Sequence, residues 1–288
     1  MTHTLDLTFL KKIIKLKNND LRKYFRKLII HKLEKKRIVL QKVTEKDKVL
    51  NLIRKIHPVK TKYDLIRLGP EGDGGYLLPN DIEGIESCFS PGVDQISDFE
   101  IDCLEKGMNI YLADKSVNKP NFNLPKDRYD FIKKFIGVTN NEDFITMDEW
   151  VDTKSNSENS DLLLQMDIEG AEYETILNIS DKLMARFRIA IIEFHFLHDL
   201  WNPLFFKYAK LVFEKILQTH ICVHIHPNNC CGIEKRFGIE IPRVAEFTFL
   251  RKDRISEFTY EDSFPHKLDF DNTSKKSIVL PKDWYRNQ

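Results

Sequence analysis

The sequence predicts an α/β fold: a doubly wound, mostly parallel seven-stranded Rossmann-like sheet, preceded by a basic helical extension. Three observations predict it. From about residue 63 onward, short apolar runs alternate with helical stretches, the pattern of βα units around a parallel sheet. Several of those runs end in an acid or a glycine, as strands do when they carry residues to the carboxyl rim of an open sheet, where ligands bind. The charge is also divided. Residues 1–62 carry 19 Lys and Arg against 5 Asp and Glu, and the remainder carries 26 against 39, although the whole chain nets only +1.

The size and composition suit one large domain with appendages. Of 288 residues, 42% are apolar and 31% charged, enough for a sizeable core and unlike a disordered chain. No run approaches the roughly 20 apolar residues of a membrane helix. Met1 to Leu10 lacks the basic-then-apolar pattern of a signal peptide, so a cytoplasmic location is expected. The five cysteines are odd in number and form no C-x-x-C pair, which argues against a disulfide framework or a structural zinc site. Cys88, Cys103 and Cys222 sit in apolar patterns and read as buried thiols. The vicinal Cys230–Cys231 pair reads as a loop feature.

The elements follow in order. Residues 5–40 place Leu10, Ile13, Ile14, Leu21, Phe25, Leu28 and Ile29 among lysines, which predicts amphipathic helices. A second helix over about 45–56 should stop before His57-Pro58, since the residue before proline avoids helical geometry. Ile85–Ser90 is the first strand. Ser97 with Glu100 forms a capping box for the next helix, and Gly107 suits its end. Asn109–Ala113 and Phe131–Val138 are the second and third strands. Thr146 with Glu149 is another capping box, and 153–160 is a polar loop. Asp161–Met166 and Ile189–Phe196 are the fourth and fifth strands. A long amphipathic helix over Pro203–Gln218 precedes two last strands, Ile221–His226 and Val244–Leu250.

The run L-L-L-Q-M-D-I-E-G-A-E at 162–172 is the most informative segment. It reads as a buried parallel strand that delivers Asp167 to the rim, followed by Glu169 and Glu172. Ser90-Pro91-Gly92 ends the first strand. A glycine there lets a ligand approach the backbone, and the helix beyond offers free N–H groups. Asp114 ends the second strand, followed by Lys115. An acid at that point can accept both hydroxyls of a ribose, whereas alone it is a loop acid. Asp73-Gly74-Gly75-Tyr76 closes a glycine-rich stretch without the Gly-Lys-Ser/Thr ending of a P-loop. It reads as a hairpin turn, and a turn that folds over a ligand satisfies both readings. Glu193 and His195 are two apart and share a strand face. His224 and His226 repeat the device. Singly, each histidine is by default a core or backbone-bonded residue. Four ionisable groups converging on one rim favour proton transfer or metal binding.

These residues resemble the FkbM-type methyltransferases, which use S-adenosylmethionine. D-I-E-G-A-E at 167–172 resembles that family's most specific motif. S-P-G-V-D…D-F-E, L-A-D at 112–114, I-T-M-D-E-W at 145–150, E-F-H at 193–195 and H-I-H-P-N-N at 224–229 follow in the order such a domain expects. D-G-G-Y at 73–76 resembles a subset of these proteins. The resemblance covers about 63–253 and departs from the general pattern at the first loop, which is reduced to Pro91-Gly92. It implies a class I methyltransferase sheet of seven strands, the last antiparallel. It divides the chain into a basic helical extension (1–62), a methyltransferase domain (63–253) and a tail packing on that domain (254–288). It places S-adenosylmethionine against Asp73, Gly74, Gly75, Tyr76, Ser90, Gly92, Asp114, Lys115 and Asp167, and implies O-methylation, often of sugars or polyketides.

Methyl transfer to oxygen needs in-line orientation and removal of the hydroxyl proton. His195 is the first candidate base, Asp167 the second, with Glu193 beside them. The competing route is a divalent metal, Mg2+ or Mn2+, held by Asp167 and Glu193 with His195 or His226. The leading expectation is an O-methyltransferase acting on a sugar hydroxyl of a surface glycan such as a capsule or O-antigen. The basic arm would contact an anionic membrane surface or a biosynthetic partner, or simply pack as an appendage with solvated lysines. Nucleic acid is not expected, since no binding motif appears. The alternatives are a metal-dependent hydrolase using the His/Asp/Glu cluster, and a non-catalytic scaffold.

Overall fold

Seven of the apolar runs align side by side in the computed structural model, which describes residues 19–37, 41–93, 97–118, 128–155 and 157–285. They are β1 (Ser87–Pro91), β2 (Asn109–Ala113), β3 (Tyr129–Ile132), β4 (Leu162–Met166), β5 (Phe187–Phe194), β6 (His220–Pro227) and β7 (Ala245–Arg251). Their spatial order is β3-β2-β1-β4-β5-β7-β6. Only β7 is antiparallel to its neighbours, β5 and β6. The chain moves outward from β1 to β3, then returns to β4 and moves the other way. The crevice between β1 and β4, where the direction of winding reverses, is where such sheets bind ligands.

Burial explains why these runs became strands. Every residue of β4 and β5 is buried, as in strands covered on both faces. Along β4, Leu162, Leu164 and Met166 enter one core cluster and Leu163 the other, the period of two that separates the sheet's faces. Gln165 is buried on the second face, a polar residue in a run otherwise apolar. The helix Pro203–Thr219 starts at Asn202, whose side chain accepts from the Leu204 and Phe205 amides. It buries Phe206, Ala209, Val212, Phe213 and Ile216, one stripe at helical spacing.

The chain divides into two compact units, residues 1–43 and 44–288. The first contains the helix Asn19–Glu34, followed by a turn at Lys35–Arg37; residues 5–18 and 38–40 of the predicted 5–40 helical region lie outside the described residues. The second unit starts with the helix Lys46–Lys55, which ends ahead of His57-Pro58 as expected. Its Val49, Leu52 and Ile53 join the larger core cluster, as do Leu280, Trp284 and Tyr285 near the far end of the chain. Val59–Lys60 pairs with Thr259–Tyr260.

Four local expectations are corrected. The Ser97–Glu100 capping box does not form: Ser97 makes no side-chain cap bond, and the Glu100 side chain turns inward to Ser90 Oγ at 2.6 Å instead of back to the Ser97 amide. At Thr146 half of the box forms. Its side chain accepts from the Glu149 amide, while its own amide donates to Asn140. The predicted strand Phe131–Val138 is two pieces. The sheet strand ends at Ile132, and Phe135–Gly137 pairs instead with Phe144–Thr146. Lys133 and Lys134 lie at the break, where their side chains reach Asn118 and Asn141. Finally, β5 runs Phe187–Phe194, so His195 sits just past its end, before Phe196 turns left-handed at φ 58°.

Candidate functional site

A cleft of about 380 Å³ opens at the carboxyl ends of β1, β2 and β4. Gly92, Asp114, Asp167 and Glu169 line it, with Phe135, Ile136 and Phe144 as an apolar wall. Gly92 has φ 86°, and a Cβ there would lie 1.5 Å from the Asp167 carbonyl oxygen. Sequence reasoning assigned the close approach at this glycine to a ligand. The structure assigns it first to the β4 backbone, whose Asp167 amide donates to the Pro91 carbonyl at 3.2 Å. Only glycine allows the two strand exits to lie this close. Asp114 Oδ1 accepts from both the amide and the hydroxyl of Ser116. Its Oδ2 has no hydrogen bond among the described residues.

A smaller recess of about 50 Å³ continues from the cleft, between Asp73, Gly74, Tyr76, Glu100, Gln165 and Asp167. The hairpin predicted from the glycines is present: Leu65–Leu68 pairs with Tyr76–Pro79. Its loop also brings Asp73 to both cavities, so the turn and ligand-facing readings coexist. Gly75 shapes the loop, since a Cβ there would meet the Pro70 carbonyl at 2.1 Å. Ser90 Oγ lies 2.6 Å from both Glu100 Oε1 and Gln165 Oε1. The Ser90 hydroxyl has one proton for these two acceptors, and burial pushes the Glu100 carboxyl above its ordinary range. Gln165 Nε2 then donates to the Tyr76 hydroxyl at 3.0 Å. Tyr76 therefore lines the recess, while Ser90, predicted to meet the cofactor, stands behind it and bonds the lining residues Glu100 and Gln165. Lys115 turns to Asp143 and is not among the residues lining the two cavities.

Asp167, Glu193 and His195 come together at the rim, their ligand-type atoms all within 4.8 Å of one another. His195 Nδ1 lies 3.1 Å from Glu172 Oε1. Its Nε2 lies 3.4 Å from Glu169 Oε2 and 3.9 Å from Glu193 Oε1. Glu172 is fully buried. The same Oε1 accepts from the Ile168 and Gly170 amides at 3.2 and 2.9 Å. Glu169 and Gly170 have φ of 56° and 105°, a left-handed turn that directs those amides inward. A Cβ on Gly170 would strike the Phe196 ring at 2.4 Å.

Electrostatics follow from this crowding. Burial raises Asp167 to about 7, with Glu169 and Glu172 adding to the rise against the opposing His195. Burial also raises Glu193 well above the carboxylate range, although Asn228 donates to it at 3.1 Å. For His195, burial alone would lower the pKa, but Glu172, Asp167 and Glu169 outweigh it and hold the ring above its ordinary value.

His226 is not in this group. It stands in register with Glu246, and Glu246 with Glu193, across β6, β7 and β5. Its ring faces Asp269, Nδ1 to Oδ1 3.6 Å, and His224 Nε2 reaches the same oxygen at 2.8 Å. The expected convergence of four groups is therefore two pairs: Glu193 and His195 serve the rim, while His224 and His226 hold the segment after 254. From that segment Asn272 donates to Glu246 and Asp73, tying it to the hairpin loop.

Residues 96–218 match the family model of the methyltransferase FkbM domain. That stretch of the chain is similar to a methyltransferase FkbM domain. A search of curated proteins found no match. The FkbM match takes in Asp114, Asp167, Glu172, Glu193 and His195. Asp73, Tyr76, Ser90, Gly92 and His226 lie outside it: Gly92 reaches the cleft at the end of β1, Asp73 and Tyr76 come from the hairpin, and His226 stays with Asp269. The seven-stranded, mostly parallel sheet is consistent with a Rossmann-like methyltransferase. Sequence reasoning missed the hold of Glu172 on His195 within the matched stretch, and the polar chain Glu100–Ser90–Gln165–Tyr76. One signal was available: Gln165 interrupts an apolar run. Glu100 gave a misleading one, because its spacing from Ser97 matched a cap.

Proposed function

We propose that the FkbM domain is an S-adenosylmethionine-dependent O-methyltransferase acting on a sugar hydroxyl of a surface glycan. The observation that carries this reading is His195, held by Glu172 beside Asp167 and Glu193 at the mouth of the cleft. The cleft suits the cofactor. Gly92 leaves the strand exits uncovered by side chain, Asp114 has an oxygen to offer ribose hydroxyls, and Phe135, Ile136 and Phe144 suit a flat base. When bound, S-adenosylmethionine supplies an electrophilic methyl group.

The protein's part is orientation and proton removal. With Nδ1–H donated to Glu172, the neutral imidazole keeps the Nε2 lone pair to accept the acceptor's hydroxyl proton. Such general-base help is worth roughly 100- to 10,000-fold. Glu172 then stabilises the imidazolium that forms. Asp167, Glu193 and Asn228 supply the mixed acceptors and donors that suit a polyol, which supports a sugar over an apolar acceptor. Calorimetry with S-adenosylmethionine and its demethylated product tests the cofactor. Micromolar binding that weakens about tenfold or more in Asp114→Ala is expected, on the scale of a lost charged hydrogen bond. No heat at millimolar ligand would reject the reading and return attention to the hydrolase and scaffold alternatives. Methyl incorporation into a glycan acceptor, lost in His195→Ala, tests the reaction.

One observation favours a second route within the same reaction. Asp167 Oδ1 is buried without a hydrogen-bond partner among the described residues, beside Glu193 and His195. Two carboxylates and an imidazole suit Mg2+ or Mn2+. Asp167, Glu193 and His195 Nε2 would hold the ion, with Glu172 orienting the ring as an outer carboxylate. The ion would lower the pKa of the acceptor hydroxyl.

A further inference from the structure

The helix Asn19–Glu34 belongs to neither the cleft nor the rim. Leu21, Tyr24 and Leu28 stand at i, i+3 and i+7, on one side of it, and are 44%, 61% and 39% exposed. Lys23, Arg26 and Lys27, all exposed, lie away from that stripe, and Phe25, Ile29, Ile30 and Leu33 are half-buried or buried. The unit that contains this helix holds 13 Lys and Arg against 3 Asp and Glu, whereas residues 44–288 hold 32 against 41. No helix among the described residues is long and apolar enough to cross a membrane.

An exposed apolar stripe flanked by cations, on a helix of low overall hydropathy, has the composition of a helix that lies in a lipid head-group layer. The stripe enters the acyl boundary, a tyrosine suits the interface, and the cations meet lipid phosphates. A nucleic acid would engage the cations but leave the stripe in water. The acidic unit of residues 44–288 has no such attraction, so the charge of the first unit is what an anionic surface would select.

We propose that the helix Asn19–Glu34 docks the full chain on an anionic lipid bilayer, with Leu21, Tyr24 and Leu28 inserted and Lys23, Arg26 and Lys27 paired with lipid phosphates. The docking is independent of the reaction assigned to the FkbM domain.

Flotation of the full chain with vesicles tests it, using phosphatidylcholine alone and phosphatidylcholine with about one third phosphatidylglycerol. The bound fraction should be about tenfold higher on the anionic vesicles at 0.1 M salt, and should fall several-fold when salt is raised fivefold and the Debye length shrinks. The full-length variant Leu21→Ser/Tyr24→Ser/Leu28→Ser keeps every charge, and Lys23→Gln/Arg26→Gln/Lys27→Gln keeps the stripe. Each should lose about tenfold in binding, with the thermal transition of the rest of the chain unchanged. No flotation, equal flotation on neutral vesicles, or full binding by the serine variant would each overturn the proposal. So would retention on heparin or duplex DNA without vesicle binding, which would identify a polyanion partner instead.

Discussion

Glu172 Oε1 stands 3.1 Å from His195 Nδ1 while accepting two backbone amides from the turn that precedes it. One buried oxygen thus links the β4 exit to the β5 exit. It fixes the tautomer of His195 and leaves Nε2 facing the other acids.

This link sets a pH profile. His195 must be neutral to accept a proton, and its neighbours hold its pKa above 6.5. Activity should therefore rise with pH along a limb above 6.5. Glu172→Gln removes the charge that raises the ring, so the limb should move to lower pH. Plateau kcat should fall about 10- to 100-fold, as for other orienting carboxylates. A pH–kcat profile whose limb does not move would show that Glu172 only holds the turn at Ile168–Gly170.

Gly92→Ala should damage both stability and cofactor binding. The added Cβ would fall 1.5 Å from the Asp167 carbonyl at a left-handed φ. Overpacking costs about 1–3 kcal/mol, and the backbone conformation costs about 1–2 more. A lowered melting temperature with loss of calorimetric binding is expected. Wild-type affinity in the variant would mean that the strand exits can separate freely.

Chelation separates the two routes of proton removal. Asp167→Asn should lower activity about 100-fold in either route, since each uses this carboxylate. Exhaustive chelation should leave a His195-based reaction intact and abolish a metal-based one, with Mn2+ restoring it. Metal analysis of the purified chain provides a readout independent of turnover.

Stability should peak near pH 6.5 as far as two buried histidines decide it. Burial holds His220 at about 4, against its bond to the Phe187 carbonyl. Below pH 6.5 the unfolded chain takes up a proton that folded His220 refuses. Its contribution, full above 6.5, is lost as pH falls toward 4. His226 is opposite: burial would lower it, but Asp269 and Glu246 prevail and raise it to about 9. Its contribution is full below 6.5 and lost as pH rises through 9. Each tenfold change in a histidine's proton affinity on folding is worth about 1.4 kcal/mol. In urea titrations across pH, His220→Phe should flatten the acid limb and His226→Asn the alkaline one. Unchanged slopes would place the titrating groups elsewhere.

Much of the fold was legible because strand burial is written into local composition. L-L-L-Q-M could only be a covered strand, and D-I-E-G-A-E identified its exit. The misreadings share one cause. Ser97–Glu100 and Phe131–Val138 each had a plausible local reading and His226 was grouped with Asp167 and Glu193, and each was claimed by another group that the fold brings up: Ser90 for Glu100, Phe144–Thr146 for the second half of the strand, Asp269 for the histidine.

By itself the sequence determined the α/β class, the order of strands and helices, the charge division, and the rim positions of Gly92, Asp114 and Asp167. These depend on periodicity and on the fact that strand ends lie at one edge of a parallel sheet. Only the tertiary structure decided which ionisable groups meet. Glu172 and His195 are 23 residues apart, and their contact depends on a left-handed turn at Glu169–Gly170 and on the side-by-side placement of β4 and β5. Angstrom-scale distances set hydrogen bonds and pKa values, and the sheet assembles those distances from segments that sequence patterns treat separately.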